Sequence, residues 1–410
     1  MTATTASQGR VSKPVPGFAP SRPEGADRGV QHPLTIPFDI GPSSIHHVNG
    51  HKQLDILALE PFYGGPRRAM LDAIARCSRH RWTILKLPPR KIERRLLVSA
   101  TWFAEQLARR EVGKVDLLFA SEALNLADFF RLTPAYAGTP AVVYFHDTQI
   151  PGPDAYRLDT PTDLANLNSA MAASEIWFNS LYNLRTFLSR ASALVARHRE
   201  LQSRSPLPVL TGKAQLVPPP VDMTVLHDLA AQGGHARDSR SVLVDARGGN
   251  HGVIAEALKA IEKRRERIRV SVIGKVKGVP ESKVTVLSDR DELGHARHLL
   301  DAGVLVSTRA SAPADDLAVR ALAAGCHPVF PQTGVYPELL PDLMHSRCLH
   351  DGTPESLLNC LLDAWSLDHP AEGYGVHVEP MLERFDAIKA CRNVDDRLSA
   401  LAATRQPAVV

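Results

Sequence analysis

Two series of apolar runs, each alternating with helix-period segments and separated by a proline-rich stretch, predict an α/β protein. The expected architecture is two Rossmann-like domains facing a cleft. A glycine turn follows the first strand of each half, at 64–65 and 248–249, where such sheets place ligands. Four regions are expected: a disordered leader over 1–50, an N-terminal domain over 51–220, a C-terminal domain over 221–375, and a helix and tail over 376–410.

The leader reading rests on many Pro, Gly, Ser and Arg residues with little periodicity. Order is expected from Leu54 to Glu60, a short apolar run read as a strand. Arg68 to Arg79 has helical spacing, with Met70, Ile74 and Cys77 on one face. Strands are expected at 82–87, 115–120, 141–145 and 176–178, with a helix over 99–110. The stretch 203–220 turns to Ser and Pro and ends in three consecutive prolines, predicting a stiff extended connector. The second half repeats the alternation, with strands at 241–245, 269–274, 283–287, 303–307 and 327–330 and helices at 253–261 and 315–324.

Composition narrows the class. The 410 residues are 44% hydrophobic and 22% charged, which excludes collagen-like, wholly disordered and disulfide-scaffold chains. Lys and Arg exceed Asp and Glu by 48 to 44, a balance that permits anionic partners without demanding them. No apolar window is long enough for a membrane span, and the N-terminus lacks a signal-peptide core, so a cytoplasmic location is expected. Cys77, Cys326, Cys348, Cys360 and Cys391 have no CxxC spacing and are expected to be reduced thiols.

Five segments can carry chemistry. In Glu60 to Arg68, Gly64 and Gly65 allow close backbone approach, Pro66 suits a first helical position, and Arg67 and Arg68 add charge-assisted donors for a phosphate. The plain alternative is an ordinary strand-to-helix turn. His146 follows a strand, where it can orient a sugar hydroxyl or act as acid or base, or serve as a structural hydrogen-bonding group. Arg247, before Gly248 and Gly249, suits a diphosphate, with a surface loop as the alternative. Lys275 ends another strand. Glu338 stands near a helix start beyond the loop that follows Gly325, as a ligand group or a simple cap. The Asp289-Arg-Asp291 pattern fits a metal–diphosphate motif but lies in a mixed-charge run, and no metal site is assigned. Basic clusters at Arg90-Lys91, Arg94-Arg95, Arg109-Arg110 and 263–269 are solvated faces that together suit a phosphate backbone.

Several motifs stand in one order: 57–65 with its Gly-Gly pair, 118–121 with 124–127, Tyr144-Phe-His146 with Gln149, 178–180 with Asn183, and Gly325-Cys326 with 336–339. Over about 53–345 this pattern resembles the tRNA-queuosine mannosyltransferases, glycosyltransferase-like proteins of GT-B architecture. The resemblance implies retaining, metal-independent transfer of mannose from GDP-mannose to a hydroxyl on the cyclopentenediol of queuosine in a tRNA anticodon. It implies a catalytic role for His146, donor contacts from Gly64, Gly65, Arg67, Arg247, Lys275 and Glu338, and acceptor-side roles for Asn125, Gln149 and Asn179. No cofactor is implied; a nucleotide sugar and queuosine-containing tRNA are the implied partners. The pattern departs from the family at Arg67, which replaces a His, and at Ala312 and Arg320, which replace two glutamates of related glycosyltransferases. Two further readings stay open: a GT-B enzyme with another donor or acceptor, and a non-catalytic binding protein of the same fold.

Overall fold

The computed structural model describes residues 52–110, 112–152, 161–202, 205–288, 291–366 and 375–404. The expected leader over 1–50 lies outside them. The first half holds strands β1 (Asp55–Glu60), β2 (Arg81–Lys86), β3 (Leu117–Ser121), β4 (Ala141–Phe145), β5 (Glu175–Phe178) and β6 (Ala214–Leu216). They form a parallel six-stranded sheet in the order β2-β1-β3-β4-β5-β6. The second half holds β7 (Asp238–Asp245), β8 (Arg269–Ile273), β9 (Thr285–Leu287), β10 (Ala302–Ser307), β11 (His327–Pro331) and β12 (Leu349–His350), in the order β12-β11-β10-β7-β8-β9.

Pattern and position agree. β3 and β4 are buried along their whole length, as central parallel strands covered on both faces must be. At the edge, β2 instead alternates, burying Trp82 and Ile84 and exposing Arg81 and Thr83. Apolar clusters cover both faces of each sheet. Leu59, Phe103, Phe129, Phe145 and Phe187 share one face of the first sheet, and Ile56, Ile74, Trp82 and Trp177 the other. Among the described residues, no helix is long and apolar enough to cross a membrane.

Two expectations are corrected. The stretch 203–220 is not one extended connector. It contains the helix Leu207–Lys213, whose Pro208 falls in its tolerated first turn, and β6, which completes the first sheet by pairing with β5. Cys77 and Cys391 are not free thiols: 314 residues apart in sequence, they are joined as a disulfide with Cα atoms 6.1 Å apart. Cys326, Cys348 and Cys360 are free and buried. The bond ties the helix Gly65–Cys77 to the helix Ala387–Ala403, which returns from the second half to the first. There Val394, Leu398 and Leu401 pack with Leu54, Ile74 and Trp82, and the Asp395 carboxylate accepts from Ser78 Oγ (2.5 Å) and the Arg79 amide (2.8 Å).

Candidate functional site

Strand order fixes where ligands meet each sheet. In the first sheet the order reverses between β1 and β3; in the second it reverses between β7 and β10. Open parallel sheets bind ligands at such reversals, beyond the carboxyl ends of the strands. The segments that follow these strands are 61–66, 122–125, 246–250 and 308–312. Residues from three of them meet in a cleft of about 640 Å³. Gly65, Pro66 and Asp147 line it from the first half, and Arg247, Arg309 and Arg320 from the second.

The first glycine turn has two distinct needs. A Cβ on Gly64 would stand 2.5 Å from Pro89 Cγ, so only glycine lets the two loops pack together. Gly65 has φ +54°, with open space around it, and Pro66 follows at the start of the helix Gly65–Cys77. Arg67 turns inward from this helix. Its guanidinium bonds the Glu122 carboxylate, with side-chain exposures of 12% and 0%. Beside them the Glu60 carboxylate accepts from the Phe62 amide (2.8 Å) and Ser121 Oγ (2.9 Å). Burial is the main influence on Glu60 and pushes its carboxyl up to about 7, against the pull of Arg67.

His146 follows β4 and is buried, its ring 4.7 Å from that of Tyr144. Burial, and next the positive Arg67, hold its imidazole well below the usual range, so the ring is neutral at physiological pH. Its amide donates to Glu122 Oε2 (3.3 Å), and its carbonyl accepts from Asn179 Nδ2 (2.9 Å). Asn183 continues this network, donating to Phe145 O (2.8 Å) and Asn179 Oδ1 (2.9 Å). Asn179 therefore acts on the strand end that carries His146. The Gln149 amide donates to Asn166 Oδ1 (2.7 Å). Asn125 caps the helix Leu126–Leu132, its Oδ1 accepting from the Asp128 amide (3.3 Å).

On the second half, Asp245 at the end of β7 accepts from Arg247 through Nε (2.8 Å) and Nη2 (3.0 Å). Arg309 reaches the Asp315 carboxylate at 3.4 Å and Asp245 at 3.9 Å. Asp315 also caps the helix Asp316–Ala324 and accepts from Tyr336 Oη (2.8 Å), which shares a 2.7 Å bond with Ser307 Oγ. Two guanidiniums are thus held in place by buried carboxylates before any ligand arrives. Burial raises the carboxyls of Asp315 and Asp316, opposed by Arg309 and Arg320 respectively. Asn250 caps the helix His251–Lys263 through the Gly252 and Val253 amides, and its own amide donates to Thr308 Oγ1 (2.8 Å).

Gly65 and Arg247 share the cleft, while Gly64, Arg67 and His146 form its support in the first half. Lys275 is exposed, pairs with Glu281 (2.9 Å) and does not line the cleft. Glu338 lies between the halves: its carboxylate accepts from the Leu181 amide (2.8 Å) and the Tyr182 amide, capping the first-half helix Leu181–Arg197. Asp291 caps the helix Glu292–Asp301 through the Gly294 amide, and Asp289 and Arg290 lie outside the described residues. Sequence reasoning missed Glu122, Asp147 and Arg309. Each stands one or two residues beyond a buried parallel strand, the same signal that marked His146.

With this geometry established, comparison with known proteins gives three findings. Residues 55–221 match the family model described as tRNA-queuosine alpha-mannosyltransferase N-terminal. A tRNA-queuosine alpha-mannosyltransferase of Drosophila melanogaster is 25% identical over 309 residues, covering 70% of this chain and 81% of that protein. Solved structures share the fold. A UDP-forming α,α-trehalose-phosphate synthase from Burkholderia xenovorans aligns with TM-score 0.59 at 12% identity, over 85% of this chain and 99% of its own. Anabaena HepE, in complex with UDP-glucose, aligns with TM-score 0.56 at 15% identity, over 85% of this chain and 100% of its own. The two-domain GT-B fold and the resemblance to tRNA-queuosine mannosyltransferases are borne out.

Proposed function

We propose that this chain is a glycosyltransferase that moves mannose from GDP-mannose to queuosine in a tRNA anticodon, with retention, in the cytoplasm. One observation carries the reading. The half that matches the queuosine mannosyltransferase model contributes Gly65 to a cleft whose other wall presents Arg247 and Arg309.

The chemistry follows from charge. Transfer breaks the bond between the anomeric carbon and the diphosphate oxygen and forms a bond to an acceptor hydroxyl oxygen. The hydroxyl proton leaves with the departing diphosphate or to solvent. Negative charge grows on that diphosphate, and preoriented guanidiniums stabilise it without reorganising. Arg247 and Arg309 are suited to this by their fixed carboxylate partners. Neutralised in this way, a diphosphate leaves without a metal. Neutral His146 is suited to orient a sugar hydroxyl.

The test is incubation with GDP-mannose and queuosine-containing tRNA, followed by mass spectrometry of the nucleosides. A hexose added to queuosine is expected; an unmodified nucleoside beside an active relative overturns the reading. A second reading rests on Arg320, which lines the cleft where related glycosyltransferases carry a glutamate. A guanidinium there suits a different nucleotide sugar. A thermal-shift panel separates the two, because the preferred donor raises the melting temperature most.

A further inference from the structure

The parallel strands of the first sheet share one carboxyl edge, so the segment that follows β2 emerges beside the glycine turn that follows β1. The two are tied together: the Leu87 amide donates to Glu60 O (2.9 Å), the Tyr63 amide to Leu87 O (2.9 Å), and Pro89 fills the space that a side chain on Gly64 would need. Since Gly65 and Pro66 line the cleft, the segment 88–91 flanks its first-half wall.

This flank is cationic. Arg90, Lys91 and Arg94 are exposed, and among the described residues none of them is paired with a carboxylate. Glu93 is the exposed acid among them. The segment is also shaped. Lys91 is held at φ 46°, unusual for a side-chain-bearing residue, and its carbonyl accepts from the Arg94 amide (3.0 Å) and the Arg95 amide (3.2 Å). Arg95 Nη2 clamps Pro88 O at 2.9 Å. One turn along the helix Ile92–Ala108, Leu97 and Val98 are 56% and 51% exposed, three and four residues past Arg94 and so on its face. The other large basic cluster, 263–269, joins the end of a helix to the start of β8. It therefore sits at the amino edge of the second sheet, away from the cleft, and its Arg269 pairs with Asp238 at 2.7 Å.

We infer that the face formed by Arg90, Lys91, Arg94, Leu97 and Val98 docks the phosphate backbone of the RNA acceptor beside the cleft; this rests on the function proposed above. The cations meet phosphates, and the apolar pair meets ribose or base surface. A protein that neutralises phosphates releases counterions, so its affinity falls with salt in proportion to the contacts made.

The experiment measures the affinity of the full chain for queuosine-containing tRNA across a salt series by fluorescence anisotropy. Wild type is compared with Arg90→Glu/Lys91→Glu/Arg94→Glu and with the milder triple alanine variant, each checked by thermal melting. The charge-reversed variant is expected to bind at least about tenfold more weakly, and the alanine variant to lose about two to three from the salt slope. Its GDP-mannose affinity stays at the wild-type value, and Arg264→Glu/Arg265→Glu/Arg267→Glu leaves tRNA binding unchanged. Unchanged affinity and slope in the first two variants overturn the inference, as does a wild type that binds phosphatidylserine vesicles but not tRNA. Patch-dependent tRNA binding without hexose transfer sinks the transferase reading alone. Hexose transfer with patch-independent tRNA binding sinks this inference alone.

Discussion

Arg67 and Arg247 each stand beside the glycine turn of one half, yet their surroundings differ. The Arg67 side chain is 12% exposed and bonded to a fully buried glutamate, whereas that of Arg247 is 38% exposed and lines the cleft while Asp245 steadies it. The same residue type after the same kind of strand is a buried ion in one half and a half-exposed cleft-lining group in the other. What decides is the partner: Glu122 encloses its arginine, and Asp245 holds its arginine at the surface.

The largest expected effect breaks the buried pair. Arg67→Ala leaves the buried Glu122 carboxyl without its counter-ion, and should cost about 3–5 kcal/mol in urea unfolding. A loss below about 1 kcal/mol would make the pair no better than a surface contact.

Next comes a pH effect confined to the first half. Glu60 has its carboxyl raised to about 7 in the fold, so the folded chain holds a proton that the unfolded chain releases at lower pH. Stability should then decline as pH rises from the ordinary carboxyl range through about 7, and level off above it. Glu60→Gln should flatten that window, gaining up to about 3 kcal/mol over wild type at alkaline pH. Equal slopes for the two proteins would contradict the assignment.

His146→Ala should lower turnover about 10²-fold while the protein still melts cooperatively. His146→Gln, closer in size, tests whether any loss follows from the cavity. An unchanged rate would leave the imidazole a packing role against Tyr144. Smallest is Arg247→Ala, which should weaken donor binding about tenfold, the scale of one lost charge-assisted bond. By contrast, Lys275→Ala should leave donor affinity unchanged, because its ammonium pairs with Glu281 away from the cleft. Titration calorimetry with GDP-mannose reads both.

Much of this contrast was legible in the sequence. Apolar runs closing in Gly64-Gly65 and in Arg247-Gly248-Gly249 marked both strand ends, because a strand period gives way there to turn chemistry. The sequence also showed Arg67 beside a glycine turn, but not the carboxylate that claims it, which lies 55 residues further on. Similarly, β6 is three residues long inside a Ser- and Pro-rich stretch, too short to show a period. Cys77 and Cys391 meet only because the last helix crosses back to the first sheet, a tertiary event that no local spacing reports.

Both halves share one cleft, lined by Gly65 and Pro66 on one side and Arg247 and Arg309 on the other. Hydrogen exchange with and without GDP-mannose tests this most directly. Slowed exchange is predicted in two separate peptides, one spanning Gly65 to Ala69 and one spanning Arg247 to Val253. Protection confined to a single half, or to surfaces remote from both turns, would contradict it.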